Sequence, residues 1–255
     1  MRFTALSMDT TLLKGFAVFE ALAKSDRPRG VTELSAELGL VKSRTHSLLQ
    51  TLQKIGYVRK DEIAGRYECT LRMWEMGSAV MDRFDLRPAA RPCLEWLARK
   101  TDESVHLSIL DGIETLYVDK IDSAQPVRAY SRIAGRAPAY CVATGKALLA
   151  YAPASTVELA CKALKKHTAN TITEQQAFQR ELGRIRETGY AINRGEWRES
   201  VVGLAVPILD LRRVAIAAIG ISGPVERLST NRLKELAPLV VRAGRSTTRA
   251  LGLDR

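Results

Sequence analysis

The chain has 255 residues, 46% hydrophobic and 26% charged, with a formal net charge of +11, which describes an ordinary soluble globular protein long enough for two domains. Cysteines 69, 93, 141 and 161 form no Cys-x-x-Cys and His46, His106 and His167 lie far apart, which excludes a zinc site and a disulfide framework and suits a reducing cytoplasm. No apolar run approaches the roughly 18 residues of a membrane span, and Met1-Arg2-Phe3-Thr4 opens no signal peptide.

Thr10–Lys24 reads as a helix with Leu12, Phe16, Phe19 and Ala23 on one side. Val31–Leu40 reads as a second, short helix, with Thr32 as N-cap and Gly39 as its C-terminal stop. A third follows almost at once. Val41, Thr45, Leu48, Leu52 and Ile55 recur at helical spacing and predict a buried stripe, while Ser43, His46, Ser47, Gln50 and Lys54 point the other way. Between Leu40 and Lys60 the basic residues are Lys42, Arg44, Lys54, Arg59 and Lys60, with no acidic one. An apolar back and a polar, cationic front suit a DNA major groove, although a basic helix alone reads in the first place as a solvated face. The flanking elements decide the matter. Gly56 ends the helix, Tyr57–Lys60 and Arg66–Thr70 predict a hairpin, and Asp61–Gly65 its turn, with Arg66 near the tip. Three helices and a hairpin make a winged helix-turn-helix.

Leu71–Asp85 predicts a connecting helix with apolar residues on more than one face, which calls for a second subunit as partner. Arg87-Pro88 and Arg91-Pro92 punctuate a boundary, giving domains 1–70, 71–88 and 89–255. Beyond it, helices are expected at 89–100, 144–152, 155–165, 173–188 and 229–251. Strands are expected at 104–110, 114–121, 127–131, 190–194, 201–210 and 214–222. This pattern predicts an α+β domain with a mainly antiparallel sheet. Residues 89–255 carry 25 basic and 17 acidic side chains, read as arginines scattered over solvated helices.

No enzyme constellation emerges. Thr144-Gly145-Lys146 lacks the upstream glycine and the following Ser or Thr of a phosphate loop. Gly220-Ile221-Ser222-Gly223-Pro224 departs from a nucleophile elbow, and Glu196 and Glu199 read as a solvated loop. No catalytic residue, metal or cofactor is therefore assigned.

The segments GVTELSAELGLVKSRTHSLLQTLQKIGYVRKD, ARPCLEWLARKTDESVHLSIL, RAPAYCVATGKALLAY, ETGYAINRGEWRESVVGLAVPI and AIGISGP, in this order, resemble the IclR family of bacterial transcriptional regulators over nearly the whole chain. The resemblance implies a winged helix domain, a dimerising linker helix and a GAF-like effector domain. It implies control of catabolic operons, a homodimer or homotetramer, an operator of double-stranded DNA and a small organic acid as effector. Where members often carry Pro and Thr, this chain has Val41 and Arg44. The DNA-contacting residues are then Lys42, Ser43, Arg44, His46, Ser47, Gln50, Lys54, Arg59 and Arg66. Carried over residue by residue, the effector residues are Ala143, Thr144, Gly145, Asn193, Gly203, Gly220 and Ser222.

Physically, Thr144-Gly145 at a helix start favours an anion, and Asn193 and Ser222 add hydrogen bonds. Gly203 and Gly220 enlarge the pocket or, equally, mark close packing. Tyr130, Tyr140 and Trp197 supply an aromatic wall or belong to the core. An aromatic acid is the expected effector. The alternative function is a small-molecule sensor acting through protein contacts rather than DNA.

Overall fold

In the computed structural model, which describes residues 9–81, 86–129 and 131–253, the chain forms two units, residues 1–84 and 85–255. In the first, α1 (Thr10–Ala23) starts where the Asp9 carboxylate accepts from the N–H groups of Thr11 and Leu12 at 2.8 and 3.2 Å. The second helix, α2 (Val31–Leu38), starts one residue before the expected cap. Gly30 occupies that position without a side-chain bond, so Thr32 lies inside the helix, and the expected cap is corrected. Gly39 ends it at φ +63°, a conformation a residue without Cβ adopts at no steric cost.

The third helix, α3 (Lys42–Lys54), buries Thr45, Leu48 and Leu49 against Val18, Phe19, Leu22 and Leu34. The expected stripe is corrected at both ends. Val41 and Ile55 are exposed, and Leu49 lies on the buried face instead, because only the middle of α3 meets α1 and α2. Strands β1 (Val58–Asp61) and β2 (Arg66–Cys69) form the antiparallel wing, with Gly65 at φ +64° closing its turn. Helix α4 (Arg72–Met81) follows; residues 82–85 of the expected connecting helix lie outside the described residues.

In the second unit α5 begins at Leu86 and runs to Thr101, straight through both prolines. Pro92 lies inside the helix and removes an interior bond, and neither Arg-Pro pair interrupts the described helix. Six strands form one antiparallel sheet in the order β5-β4-β3-β8-β7-β6: β3 (Ser104–Asp111), β4 (Glu114–Ile121), β5 (Arg136–Pro138), β6 (Ala191–Arg194), β7 (Val201–Leu209) and β8 (Ala215–Pro224). The strand expected at 127–131 is not among the described elements. Pro126 has no N–H to donate, and the Arg227 guanidinium takes the Val127 carbonyl at 2.7 Å, so the edge strand forms later, at β5.

Alternation along β7 and β8 sorts the layers. Leu204, Val206, Ile219 and Ile221 face the long α9 (Thr230–Ala250), where Gly244 lies against Val206 and Ile219, and α5 packs beside α9 over β3 and β4. The other face carries Gly203, Ala205, Ala218 and Ser222. It is covered by α6 (Ala143–Leu149), α7 (Ala154–Lys162) and α8 (Gln175–Thr188), with Leu148, Leu149, Phe178, Leu182 and Ile185 as core. No described helix is long and apolar enough to cross a membrane.

Candidate DNA-reading helix and effector cavity

Helical spacing of four, three and four places Ser43, Ser47, Gln50 and Lys54 on one exposed face of α3, with Lys42 and His46 beside them. Arg44 is one residue, or about 100°, off that row. It shares a row with Leu48, lies half-buried, and its guanidinium donates to Thr11 Oγ1 of α1 at 2.6 Å. Two wing arginines are also engaged. Arg59 pairs across the strands with its register partner Glu68 at 2.7 Å. Arg66 turns back to α2, donating to Glu33 and to the Pro28 carbonyl, both at 3.1 Å. The tip itself holds Glu62, a fully exposed Ile63, and Asp61, whose carboxyl is held below its usual range by hydrogen bonds from the Ala64 and Ile63 N–H groups.

In the second unit a cavity of about 50 Å³ opens between the sheet and the start of α6. Of the seven residues expected there, Ala143, Thr144, Asn193, Gly203 and Ser222 line it. Gly145 and Gly220 do not. A Cβ on Gly145 would collide with the Ala139 carbonyl and Thr115 Oγ1, and one on Gly220 would stand 2.6 Å from Ala205 Cβ, so both exist for close packing. Gly203 does both jobs: it lines the cavity, yet a Cβ there would approach the Ile221 carbonyl at 2.9 Å. Asn193 is already occupied. Its Nδ2 donates to the Val201 carbonyl at 3.2 Å and its Oδ1 accepts from Glu196 N–H at 2.9 Å, which shapes the β6–β7 loop. Among the aromatic candidates, Trp197 lines the cavity, Tyr140 belongs to the core against Phe178, and Tyr130 lies outside the described residues.

Four polar lining residues were not assigned from the sequence: His106 of β3, Tyr117 of β4, Ser131, and Arg198 beside Trp197. His106 Nε2 lies 2.7 Å from Ser222 Oγ, and its Nδ1 is 3.4 Å from Ser131 Oγ. Burial, with Lys120 nearby, pushes the imidazole down to about 4, so it is neutral at pH 7. Burial likewise pushes the Tyr117 phenol up to about 12, although the Arg198 charge acts against it. Arg198 is exposed at the mouth, its guanidinium 4.8 Å from the Trp197 ring centre. The signal for His106 was the alternation of β3: His106 and Ser108 are polar residues on a strand face that is buried, not solvated.

Behind the cavity lies a buried charge cluster. Lys146 is 0% exposed, and its Nζ donates to Glu196 at 2.7 Å and Glu181 at 3.1 Å. Glu196 is therefore no solvated loop residue, as the sequence suggested; only Glu199 is exposed. Desolvation holds the Glu196 carboxyl above its usual range despite Lys146. At Glu181 burial also pulls upward, but bonds from Arg184 and Lys146 outweigh it and bring the carboxyl to about 2.

A winged helix-turn-helix followed by an α+β unit with a small cavity beside its sheet defines the architecture of a two-domain DNA-binding regulator. Residues 11–62 match the IclR helix-turn-helix domain, and residues 78–249 match the bacterial transcriptional regulator IclR C-terminal domain. The chain belongs to the IclR family of transcriptional regulators. It is 35% identical over 245 residues to the HTH-type transcriptional regulator KdgR of Escherichia coli K12, covering 95% of this chain and 93% of that one. The crystal structure of the Thermotoga maritima IclR superposes with a TM-score of 0.80 at 30% identity, covering 95% of this chain and 98% of that one. An IclR homolog from Microbacterium hydrocarbonoxydans, crystallised with 4-hydroxybenzoate, shares the fold with a TM-score of 0.83 at 23% identity over 96% of this chain and 100% of that one.

Proposed function

We propose that this regulator controls a catabolic operon by binding a small carboxylic acid in the second unit, which changes the affinity of the first unit for a two-fold operator. The observation that carries this reading is the cavity's charge pattern. Inside are neutral hydrogen-bonding groups, His106, Ser131, Ser222 and Tyr117, and the cation Arg198 stands at the mouth over an aromatic ring. A carboxylate pairs with the guanidinium in two parallel bonds, while the acid's remaining polar atoms meet the interior. At about 50 Å³ the cavity admits an acid of a few carbons, since one water needs roughly 10–15 Å³ on the same scale. An aromatic acid displaces the half-buried Trp197 and then stacks on it. The 4-hydroxybenzoate held by the Microbacterium protein supports a ligand of that kind.

On DNA, Ser43, Ser47 and Gln50 read base edges and Lys42, His46 and Lys54 hold phosphates. Arg44, Arg59 and Arg66 join only by exchanging their present partners for DNA. Two copies meet through the apolar groove of about 380 Å³ between α1, α3 and α4, where Leu12, Phe16, Met73 and Met76 are exposed. Residues 1–70 then serve as the DNA-reading domain, 71–88 as the dimerising link and 89–255 as the sensor. Calorimetry with 2-oxo, hydroxy and benzoic acids tests the ligand assignment. One acid class should bind, and Arg198→Ala should weaken it about tenfold or more, as expected for a lost charge-assisted bond. Undiminished binding by Arg198→Ala would refute the assigned carboxylate anchor.

A further inference from the structure

The positive excess of the second unit is concentrated, not scattered. Residues 85–255 hold 26 basic and 18 acidic side chains; α5 and α9 hold nine of the first and two of the second, so the remainder has 17 and 16 and is almost neutral. The two helices pack side by side on the sheet face opposite the cavity, with Leu94, Leu97, Leu236 and Val240 turned inward and Arg242 of α9 lying 5.0 Å from the Trp96 ring centre of α5. Some of the charge is matched: Arg91 pairs with Glu95 and Asp119, and Arg232 with Glu235. Arg99, Lys100, Lys234 and Arg245 are exposed on the same layer. Along α9, Lys234, Arg242 and Arg245 recur on the face turned away from the core and span 11 residues, about 16 Å at 1.5 Å per residue. That is about five base pairs of duplex, at one charge per roughly 1.7 Å of axis.

We propose that the α5–α9 face is a second, sequence-independent DNA contact that holds the phosphate backbone beside the operator. The occupant follows from charge. A two-fold contact with another copy would set this face against itself, with the exposed Arg99, Lys100, Lys234 and Arg245 of one copy opposite those of the other. A polyanion meets no such repulsion, and the first unit of the same chain already brings duplex DNA. The inference rests on family membership and the helical layer, and is independent of the cavity and its ligand.

The test compares full-length wild type with Arg99→Glu/Lys100→Glu/Lys234→Glu/Arg245→Glu on duplexes of mixed sequence. One duplex is about 20 bp, the span of two half-sites one helical turn apart, and the other about 60 bp. A control, Lys162→Glu/Lys165→Glu/Lys166→Glu/Arg180→Glu, makes the same charge change on α7, α8 and the loop between them. Anisotropy is read across a salt series. On the long duplex, the face variant should lose about three or more units of the log-affinity against log-salt slope, at about 0.9 per phosphate contact. It should match wild type on the short duplex, and the control should match wild type on both. A slope unchanged on the long duplex overturns the proposal. So does an equal loss on both duplexes, or a loss as large in the control, since either is a general charge effect. If the face variant sediments as a different oligomer without DNA, the layer is an interface between copies and the proposal falls. Should the Glu variant melt early, the same four positions changed to Gln carry the test, with about half the slope change expected.

Discussion

Changing Lys146 to Met removes a buried cation and leaves two carboxylates behind. Glu196, which is 4% exposed, has one oxygen bonded to Lys146 and the other without a partner among the described atoms. Removing one member of a buried pair typically costs about 3–5 kcal/mol, because the remaining charge must stay buried unpaired or take up a proton. For a unit of this size, about 2–4 °C per kcal/mol predicts a melting temperature lower by roughly 6–20 °C at pH 7. Lys146→Met/Glu196→Gln should recover more than half of that loss, since the uncompensated charge is then gone. The pH dependence has a defined sign. Without Lys146 the raised Glu196 carboxyl moves further up, so the folded variant binds a proton that the unfolded chain does not, and the gap to wild type narrows as pH falls from 7 towards 5. Differential scanning calorimetry of the four proteins across that range is the assay. A single variant within about 1 kcal/mol of wild type, or a double variant no more stable than the single, would refute the reasoning.

In the wild type, Glu181 titrates at about 2 when folded against 4.5 unfolded; its stabilisation, about 3 kcal/mol at most, is present above pH 4.5 and lost as pH falls from there to about 2, and Glu181→Gln should flatten that acid limb of the melting curve. Gly145→Ala forces a methyl group into the Ala139 carbonyl and should cost about 1–3 kcal/mol in a thermal melt, with unchanged stability contradicting the packing role. Ser47→Ala/Gln50→Ala should weaken operator binding and relax sequence preference, whereas Lys54→Ala should weaken all duplexes alike and reduce the salt slope by about 0.9; footprinting with a salt series separates the two. Trp74, 70% exposed on α4, is the probe of self-association: Trp74→Glu should shift the sedimentation coefficient to that of a monomer and abolish operator binding with it.

The first unit was largely legible in the sequence because its elements are specified locally. A 3.6-residue stripe, a glycine stop and a five-residue turn place α3 and the wing without knowledge of anything distant. What escaped was neighbour-dependent: Val41 and Ile55 continue the stripe in sequence but project past the ends of the helices that would cover them. The cavity was legible only in part. Its assigned residues came from the family resemblance, and two of them, Gly145 and Gly220, are glycines for reasons of packing that sequence cannot separate from pocket volume. His106 and Ser222 are 116 positions apart and meet only because β3 and β8 are neighbours in the sheet. Lys146 and Glu196, 50 apart, meet because α6 packs against β6 and the loop after it, which is why a buried pair read as a discarded phosphate loop and a solvated loop.

The imidazole at the centre of the cavity has a consequence for when the sensor works. With its pKa pushed down to about 4 by burial, His106 is uncharged at and around neutral pH. The fold does lose some stability as pH drops below 6.5 towards 4, because the unfolded chain gains its proton first. The imidazole in the cavity keeps one charge state until pH nears 4. A fall in pH changes the charge of any group whose pKa lies near neutrality. A receptor lined by an ordinary histidine would then register proton and metabolite together, and its promoter would answer a mixture of the two. Burying the ring against Ser222 keeps the cavity's charge independent of acidity near neutral pH, so under the proposed function occupancy would follow the ligand and not the proton.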